Sequence, residues 1–447
     1  MMKRSLAVLV GGLFLATSLA GAVADGPVDS ITSAAGVSAQ ATSSHTAIDV
    51  VNIFNRSNEL ANDVAARAIS ATEAVHGAWA FGRGGSVGVV GVRRGGTPIQ
   101  LPPPGYQFPM SVSALPLNAI GPIMGKDIAG IVASGYVIMG KTTADLRGAA
   151  VGDLVDFMSA GGAVVSLPIG LVAEDAAIGG TEVLTTTSIG EALGITLNTR
   201  ILVWGFDSRD GIDQSLAGFG LTQRVDVRIR RSWDAFDPDT QIGMAETKVK
   251  LGEFAFRVNA NGMDVTVTSD WESAHMPPDR EVLSAAVAIK ARCNLAIRGD
   301  LMAALDDVAQ AGLGSQIDVV NANTYGGCYY PRFNRISGAL GFLSRHSWGQ
   351  ALDTNTVQNA EGTTPKMNCD VVRIFRKHNF AWGGNFLTPD GMHFEWVGTR
   401  RDQYQYPSRF CPNLPVATGT QAGPGATVIP AAIGSATFLA DDGFSGD

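Results

Sequence analysis

The chain has 447 residues, of which 45% are hydrophobic and 17% charged, and its formal net charge at pH 7 is -8. This composition is typical of a soluble globular protein, and the length favours two domains over one. Because the balance is acidic and no long Lys/Arg block occurs, we expect no nucleic-acid partner.

The N-terminus has the three parts of a secretory signal peptide. MMKR is positively charged, SLAVLVGGLFLATSLAG is apolar, and Ala22-Val23-Ala24 supplies small residues for cleavage. The apolar run of about 17 residues is short for a membrane-spanning helix. We therefore predict a signal peptide over residues 1–24 and a small, polar linker over 25–47. The mature protein is expected to be secreted or associated with the cell wall, with no membrane span.

Residues 48–245 predict an N-terminal domain that is α+β or rich in β-strands. Apolar residues at helical spacing predict a helix between residues 57 and 75: Leu60, Val64, Ala65 and Ile69. The runs SVGVVGV, ASGYVIMG and TRILVWGF are apolar and β-branched, as strands are. Nothing in this domain indicates its activity.

Two glycine patterns in the N-terminal domain invite comparison with nucleotide sites. The run GRGGSVGVVGVRRGG at 82–96 lacks the G-x-G-x-x-G spacing, and we interpret its glycines as turn residues flanking a strand. The stretch GYVIMGKT at 135–142 fits the P-loop formula. Its interior, YVIM, is typical of a strand core rather than a flexible loop, so we interpret the match as coincidence.

Residues 246–412 predict a second domain. FAFRVNANGMDVTVTSDW alternates like two strands joined at Asn-Gly. The amphipathic stretch at 281–313 predicts two helical segments separated by Gly299-Asp300, with Gly312 as a C-cap. Residues 413–447 lose periodicity and charge, which predicts a flexible tail.

All four cysteines lie in this second domain: Cys293, Cys328, Cys369 and Cys411. An even number of cysteines in an exported protein favours two disulfides over free thiols. No C-x-x-C spacing occurs among them, so a zinc cluster of cysteines is not indicated. The sequence leaves their pairing open.

The stretch SRHSWGQALD places His346 and Asp353 seven positions apart. On a continuous helix they would lie about 10 Å apart along the axis, whereas two zinc ligands need donor atoms within about 4 Å of each other. A shared ion therefore requires the chain to fold back between them. Gly349 permits such a turn, and the following ALD is typical of a strand entry.

TPDGMHFEW at 388–396 supplies a third candidate ligand. Pro389-Asp390-Gly391 is a turn signature that leads into a strand-like MHFEW, so His393 is expected at the start of a strand. Asp390, three residues earlier, is placed beside the ion without ligating it. Two histidines, one carboxylate and an open position for water form a catalytic zinc arrangement, and a neighbouring carboxylate accepts the proton of that water.

The order of these motifs is similar to that of a known family. S-R-H-S-W-G-Q-A-L-D-T-N, followed by F-A-W-G-G-N-F and D-G-M-H-F-E-W, resembles the D-alanyl-D-alanine carboxypeptidase family of zinc peptidases, whose fold group includes lysostaphin-type and hedgehog-like metalloproteins. The match extends back through GGCYYPRFNRISG, loosely covers 246–412 and does not touch 48–245. We therefore expect an α+β domain in which a small antiparallel sheet and flanking helices hold a zinc site.

The resemblance implies roles for individual residues. His346, Asp353 and His393 match the zinc ligands, and Asp390 matches the general acid/base, where some relatives carry Glu. Arg332 matches an arginine that stabilises the developing oxyanion.

Three further residues are candidates around this set. Ser344 matches a serine that often contacts substrate, and Trp382 is a second candidate for substrate contact. Glu395 lies two residues from His393 on the same strand face and is a candidate to orient that ligand. Simpler interpretations stay open: an ion-pair role for Arg332 or Arg335, a turn role for Ser344, solvent exposure of Glu395, and a core role for Trp348 and Trp382.

We predict a secreted, monomeric Zn²⁺ peptidase that hydrolyses peptidoglycan stem peptides, like a D-Ala-D-Ala carboxypeptidase. One alternative is an L-alanyl-D-glutamate endopeptidase of the same fold, because that subgroup carries aspartate at the position of Asp390. A second is a catalytically silent, zinc-containing wall-binding protein. A third is an exported interaction protein in which the His/Asp pattern is a coincidence. The sequence leaves open the scissile bond and the role of residues 48–245.

Overall fold

The structure, a computed structural model, describes residues 48–318 and 327–413. The predicted signal peptide, the predicted linker and all but Asn413 of the predicted tail lie outside the described residues. The strands are β1 Val50–Asn55, β2 Ala78–Arg94, β3 Thr97–Gln100, β4 Phe108–Leu115, β5 Val137–Gly140, β6 Leu154–Met158, β7 Val164–Ala173, β8 Val183–Thr186, β9 Arg200–Trp204, β10 Val227–Arg231, β11 Phe256–Val258, β12 Val265–Val267, β13 Glu281–Val282, β14 Lys290–Ala291, β15 Ala351–Asp353, β16 Phe380–Trp382 and β17 His393–Trp396.

The α-helices are α1 Asn62–Glu73, α2 Leu117–Met124, α3 Lys126–Ala133, α4 Lys141–Arg147, α5 Thr187–Leu193, α6 Arg209–Gly218, α7 Met244–Leu251, α8 Ser269–His275, α9 Arg298–Gln310 and α10 Cys369–Lys377. Short 3₁₀ turns cover Asp175–Ile178, Gly314–Gln316, Gly338–Leu340, Arg345–Trp348 and Gly383–Asn385. No helix within the described ranges combines the length and the apolar character needed to cross a bilayer.

A closed barrel forms the centre of the N-terminal domain. Strands β2, β4, β8, β5, β7 and β6 pair in this order, and β6 pairs back with β2. Val89 of β2 is thus opposite Phe108 on one side and Phe157 on the other. Fully buried apolar side chains fill the interior, including Val89, Met110, Val155, Phe157 and Val183. The predicted β-rich character of this domain is confirmed.

The first part of β2 belongs to a second layer. There it pairs with β9, and the sheet continues through β1 to β10. Helices α1 and α6 cover this sheet, and their apolar faces bury Val64, Ala68 and Ile212 against Val51 and Val203. Helix α1 confirms the helix predicted between residues 57 and 75. The helix forms there because its buried valine and alanines recur at the spacing of one helical face.

The glycine run at 82–96 differs from the prediction. Gly82 to Gly91 lie inside β2, and the turn is formed by Gly95 and Gly96 alone of this run. The interior glycines are explained by close neighbours: a β-carbon at Gly88 would lie 1.9 Å from the Gln107 side-chain oxygen, and one at Gly85 would lie 3.0 Å from the Leu340 carbonyl oxygen. Glycine here permits close approach rather than a turn.

The P-loop formula at 135–142 falls on a buried strand, as predicted. Val137 pairs with Ile169 of β7, and Met139 pairs with Val183 of β8. Backbone groups of this stretch are therefore engaged in the sheet rather than arranged around a phosphate. Lys141 instead forms an ion pair with Asp145 one helical turn later.

The second domain has a separate apolar core built around a small antiparallel sheet, as predicted. The strand order is β15, β17, β16, and helices α9 and α10 pack beside it. Its core includes Trp348, Leu352, Phe375, Phe380 and Phe394, all fully buried. The hairpin predicted at Asn-Gly is confirmed by the pairing of β11 with β12.

Two helices are predicted over 281–313, and the prediction of the first is wrong. Residues 281–291 form a short hairpin of β13 and β14, and one helix, α9, runs from Arg298 through Gly299 and Asp300. The buried side chains explain the difference: Val287, Ile289, Ala291 and Cys293 are buried at every second position, the spacing of a strand. Gly312 follows the end of α9 with φ +73°, as a C-cap glycine does.

Two disulfides staple this domain, as predicted. Cys293 pairs with Cys328, and Cys369 pairs with Cys411. The first joins the chain after β14 to the segment that leads to His346, and the second joins the start of α10 to the end of the described chain. Both are consistent with an extracellular, oxidising environment.

Candidate metal centre

His346 lies in a tight turn that Ser344 begins. The Ser344 hydroxyl accepts a hydrogen bond from the His346 backbone N–H at 3.1 Å, and its own N–H donates to the Arg332 carbonyl at 3.0 Å. The 3₁₀ turn ends at Gly349, which has φ +60°. The chain then reverses into β15. The predicted turn at Gly349 is confirmed.

Three predicted ligand residues converge at this reversal. Asp353 ends β15 directly opposite His393 at the start of β17. The Asp353 carboxylate lies 3.2 Å from Nε2 of His346 through one oxygen and 3.2 Å from Nδ1 of His393 through the other. One ligand atom from each of the three residues lies within 4.8 Å of the others.

Each imidazole has one ring nitrogen against a fixed neighbour and its other ring nitrogen toward Asp353. Nδ1 of His346 lies 2.5 Å from the Cys328 carbonyl oxygen, which only accepts, so Nδ1 carries a proton and Nε2 is the nitrogen that faces Asp353. Nε2 of His393 lies 3.5 Å from the Glu395 carboxylate, which leaves Nδ1 facing Asp353. Nε2 of His346 and Nδ1 of His393 thus both face the Asp353 carboxylate, and two imidazoles with one carboxylate are a donor set that suits zinc.

The charge state of Asp353 also suits metal binding. Burial raises the pKa of its carboxyl, but the two neighbouring histidines outweigh burial and hold that pKa well below its ordinary value. The side chain is therefore an anion at neutral pH. A deprotonated carboxylate is the form that binds a metal ion.

Asp390 lies in the turn that leads into β17. Its backbone N–H donates to the Gly383 carbonyl at 2.8 Å, and its carbonyl accepts from the His393 N–H at 3.3 Å. The residue is fully buried. The following Gly391 is packed tightly, since a β-carbon there would lie 2.9 Å from the Asn359 side-chain oxygen. The loop thus fixes Asp390 by backbone hydrogen bonds at the entry to β17.

Trp382 is also part of this loop. Its side chain is 1% exposed, and its indole N–H donates to the Gly391 carbonyl at 2.9 Å. Its backbone N–H donates to Asp239, which also forms a buried ion pair with Arg376. In this structure Trp382 packs in the core and holds the Asp390 turn. Its contact with substrate stays a prediction.

Arg332 lies beside the His346 turn and is 3% exposed. Its backbone N–H donates to the Ser347 hydroxyl at 3.1 Å, and its carbonyl accepts from the same hydroxyl at 3.0 Å. One guanidinium nitrogen donates to the Phe333 carbonyl at 3.2 Å. The structure therefore brings Arg332 to the same region as His346, in a buried position rather than on the surface.

Glu395 is fully buried and contacts two residues that the sequence motifs did not identify. Its carboxylate accepts from Gln241 and lies 3.4 Å from Nε of Arg345. Arg345 also donates to the Ile242 carbonyl at 2.8 Å. Arg345 stands inside the SRHSWG motif, so its position was a usable signal. Gln241 offered none, because its contact depends on how the segment before α7 packs.

Comparison with known proteins gives one family match. The family model described as D-alanyl-D-alanine carboxypeptidase matches residues 337–396, an interval that holds His346, Asp353, Asp390 and His393 but not Arg332. The match supports the resemblance to this peptidase family, and with it a peptide substrate, over a short part of the chain.

The other comparisons add no argument. No curated protein matches this chain significantly. Among solved structures, the extracellular domain of the noncanonic ABC-type transporter YknZ from Gram-positive bacteria is similar at 13% identity and a TM-score of 0.26. That similarity covers 40% of this chain and 99% of that chain.

Proposed function

We propose that this protein is a secreted, zinc-dependent peptidase that hydrolyses the stem peptides of peptidoglycan, in the manner of a D-Ala-D-Ala carboxypeptidase. One observation carries the proposal: His346, Asp353 and His393 each place one ligand atom within 4.8 Å of the others, inside the interval that matches this peptidase family. Asp390 precedes His393 by three residues in a buried, tightly held turn.

His346, Asp353 and His393 would hold the zinc ion in this proposal. When bound, zinc supplies Lewis acidity that polarises a carbonyl and lowers the pKa of water to about 7. The Cys328 carbonyl and Glu395 would orient the two imidazoles, since each lies against the ring nitrogen that does not face Asp353. Such contacts hold a ligand ring in one tautomer and one orientation.

Asp390 would be the general acid/base. Its carboxylate would take the proton of the attacking water and then donate it to the leaving amine, so that one group serves both proton transfers. Arg332 would stabilise the negative charge that develops on the carbonyl oxygen, as a fixed guanidinium does in a buried position. Ser344 and Trp382 are proposed to contact substrate in addition to their observed hydrogen bonds within the turns.

A second candidate function is an L-alanyl-D-glutamate endopeptidase of the same fold. It is favoured by the aspartate at position 390, because that subgroup carries aspartate where other relatives carry glutamate. Both candidates use the same residues and differ in the bond they cleave. Mass spectrometry of the products from a defined stem pentapeptide distinguishes them, since one releases D-alanine and the other separates L-alanine from D-glutamate.

The test combines metal analysis with digestion of muropeptides by purified protein. We expect one zinc ion per chain, lost in His393→Ala. We expect Asp390→Asn to keep the metal and to lose activity by a factor of about a hundred or more. Asp370→Asn is the control, because Asp370 is an exposed carboxylate on α10 that pairs only with Arg373 among the described residues. Equal activity of Asp390→Asn and wild type would overturn the mechanism.

A further inference from the structure

A cavity of about 260 Å³ lies beside the candidate metal centre, between the two domains. Residues 222–225, 227 and 228 of the N-terminal domain form one wall, and residues 384–387 of the second domain form the other. Arg409 and Phe410 complete the lining. The second wall belongs to the loop that leads to Asp390.

The described lining of this cavity has three arginines and no carboxylate: Arg224, Arg228 and Arg409. Arg224 forms ion pairs with Asp63 and Asp226, which do not line the cavity. Arg228 donates to the Asn385 carbonyl on the opposite wall. Arg228 and Arg409 thus give the described lining a positive charge, in a chain whose net charge is -8.

Arg409 is the most available of these cations. It is exposed, its guanidinium lies 4.8 Å from the centre of the Phe410 ring, and it forms no ion pair within the described part of the chain. Burial lowers the pKa of the nearby Arg56, the positive charge of Arg409 lowers it further, and the charge of Asp226 offsets only part of this effect. Two guanidinium groups that repel each other favour an anion between or beside them.

The walls that carry these charges are held in place. Nε of Arg56 donates to the Leu387 carbonyl at 2.7 Å, and its Nη2 donates to the Val225 carbonyl at 3.1 Å. Arg56 therefore joins the two walls across the domain boundary. Asn385 is fixed from the other side by hydrogen bonds to Asp239 and to the Phe410 carbonyl. A rigid, cationic cavity binds an anion with little ordering cost.

Phe386 contacts both this cavity and the candidate metal centre. Phe386 lines the cavity, and its ring centre lies 5.8 Å from that of His393. An extended peptide advances about 3.3 Å per residue, so a substrate held at His393 reaches the cavity within a few residues of the scissile bond.

From this geometry we infer that the cavity binds a carboxylate of the substrate peptide that lies outside the scissile bond, with Arg409 and Arg228 as its cationic partners. The identity of the ligand as a peptide rests on the proposed function. Guanidinium groups bind carboxylates through two parallel N–H donors, which gives the site preference for a carboxylate over its neutral amide.

The test uses three forms of a stem pentapeptide ending in D-Ala-D-Ala: the free acid, the form amidated at the D-glutamyl carboxylate, and the form amidated at the C-terminus. Cleavage is measured as kcat/KM, and binding by calorimetry, for wild type, Arg409→Gln and Arg409→Lys. Arg400→Gln is the matched control, because Arg400 is exposed, pairs with Asp402 and does not line the cavity.

We expect one of the two amidations to weaken wild-type binding and kcat/KM about tenfold or more. Arg409→Gln should lose the same factor on the free acid and show no further loss on that amide, and Arg409→Lys should be intermediate. The amidation that has this effect identifies the carboxylate. Arg400→Gln should behave as wild type.

Calorimetry separates failure of this inference from failure of the proposed function. Suppose that no peptide is cleaved, but wild type binds the acid more tightly than one amide and Arg409→Gln does not. That result would support the carboxylate site and contradict the proposed peptidase activity. If wild type cleaves all three peptides with the same preference as Arg409→Gln, or binds none of them, the inference is overturned.

Discussion

At the residue scale, the buried carboxylate of Glu395 connects the candidate ligand His393 to side chains from other segments of the chain. Within residues 48–318 and 327–413 it has four hydrogen-bonding or ionic neighbours: His393, Gln350, Arg345 and Gln241. Its position two residues after His393 was enough to predict contact with that ring, because alternate strand residues share a face. Its other neighbours come from distant segments, which spacing along the chain does not reveal.

We predict that Glu395→Gln lowers zinc affinity by a factor of about ten to a hundred while the fold is kept. The amide keeps the shape of the side chain but removes the negative charge that faces His393 and Arg345. Competition with a chelator measures the affinity, and circular dichroism checks the fold. Glu191→Gln, at an exposed carboxylate paired with Arg83, should leave the affinity unchanged. An unaltered affinity in Glu395→Gln would remove Glu395 from the metal centre.

Two features of position 349 favour glycine, the left-handed backbone conformation and a close backbone neighbour, and a comparison with Gly95 separates their effects. Its φ is +60°, and a β-carbon there would lie 2.9 Å from the Asn294 backbone nitrogen. Gly95 has φ +54° with open space around it. Gly95→Ala thus measures the cost of the left-handed conformation alone.

We expect Gly95→Ala to lower the free energy of unfolding by about 1 kcal/mol and Gly349→Ala by about 3 kcal/mol, because only the second adds a clash with backbone. Urea unfolding measures both. Gly349→Ala should also weaken zinc binding, since the turn brings His346 to Asp353. Equal losses of stability in the two variants would mean that the close contact at Gly349 relaxes freely.

At the element scale, short segments form the candidate centre. β15 and β17 bring Asp353 opposite His393, and the turn Arg345–Trp348 adds His346. These elements were predictable because turn residues and strand alternation occur locally in the motifs. The helix predicted before Arg298 was wrong for the opposite reason. Its apolar residues fit helical spacing loosely, and the pairing of β13 with β14, which uses strand spacing, decided the structure.

The two disulfides should differ in their effect on the metal centre. The Cys328 carbonyl contacts Nδ1 of His346, so loss of the Cys293–Cys328 bond frees the segment that fixes this candidate ligand. The Cys369–Cys411 bond joins α10 to the end of the described chain, and neither cysteine has a described hydrogen bond to His346, Asp353 or His393.

We predict that Cys293→Ser with Cys328→Ser lowers both stability, by about 2–4 kcal/mol, and zinc affinity. Cys369→Ser with Cys411→Ser should lower stability by a similar amount with the affinity unchanged. Thermal unfolding with and without zinc, together with chelator competition, measures the two quantities. A loss of zinc affinity of equal size in both double variants would show that the disulfides act only through global stability.

At the scale of the whole molecule, the two domains are joined by a buried charge network. Lys248 of α7 lies 2.7 Å from Glu182 of the barrel domain and 3.4 Å from Glu253, which also pairs with Arg147. The side chains of Lys248 and Glu182 are fully buried. Two cations and two anions balance here, so removal of one leaves an uncompensated charge in the interior.

We expect Lys248→Met to lower the free energy of unfolding by about 3–5 kcal/mol. Adding Glu182→Gln to this variant should recover part of the loss, because the unpaired carboxylate is then removed. Lys250→Met is the matched control on the same helix, since Lys250 is partly exposed and pairs with Glu246. Urea unfolding of the four proteins completes the comparison. Equal, small losses in Lys248→Met and Lys250→Met would contradict a role for the network in joining the domains.

The sequence by itself determined the chemistry of the candidate centre: the ligand types, their order, the turn at Gly349 and the strand at His393. These follow from local rules of turn and strand formation, which act between residues close in the chain. Tertiary structure alone decided the cysteine pairing, the contact of Gln241 with Glu395, and the arginine cavity between the domains. Each of these joins segments far apart in the chain, and packing, which no local pattern encodes, selects which distant segments meet.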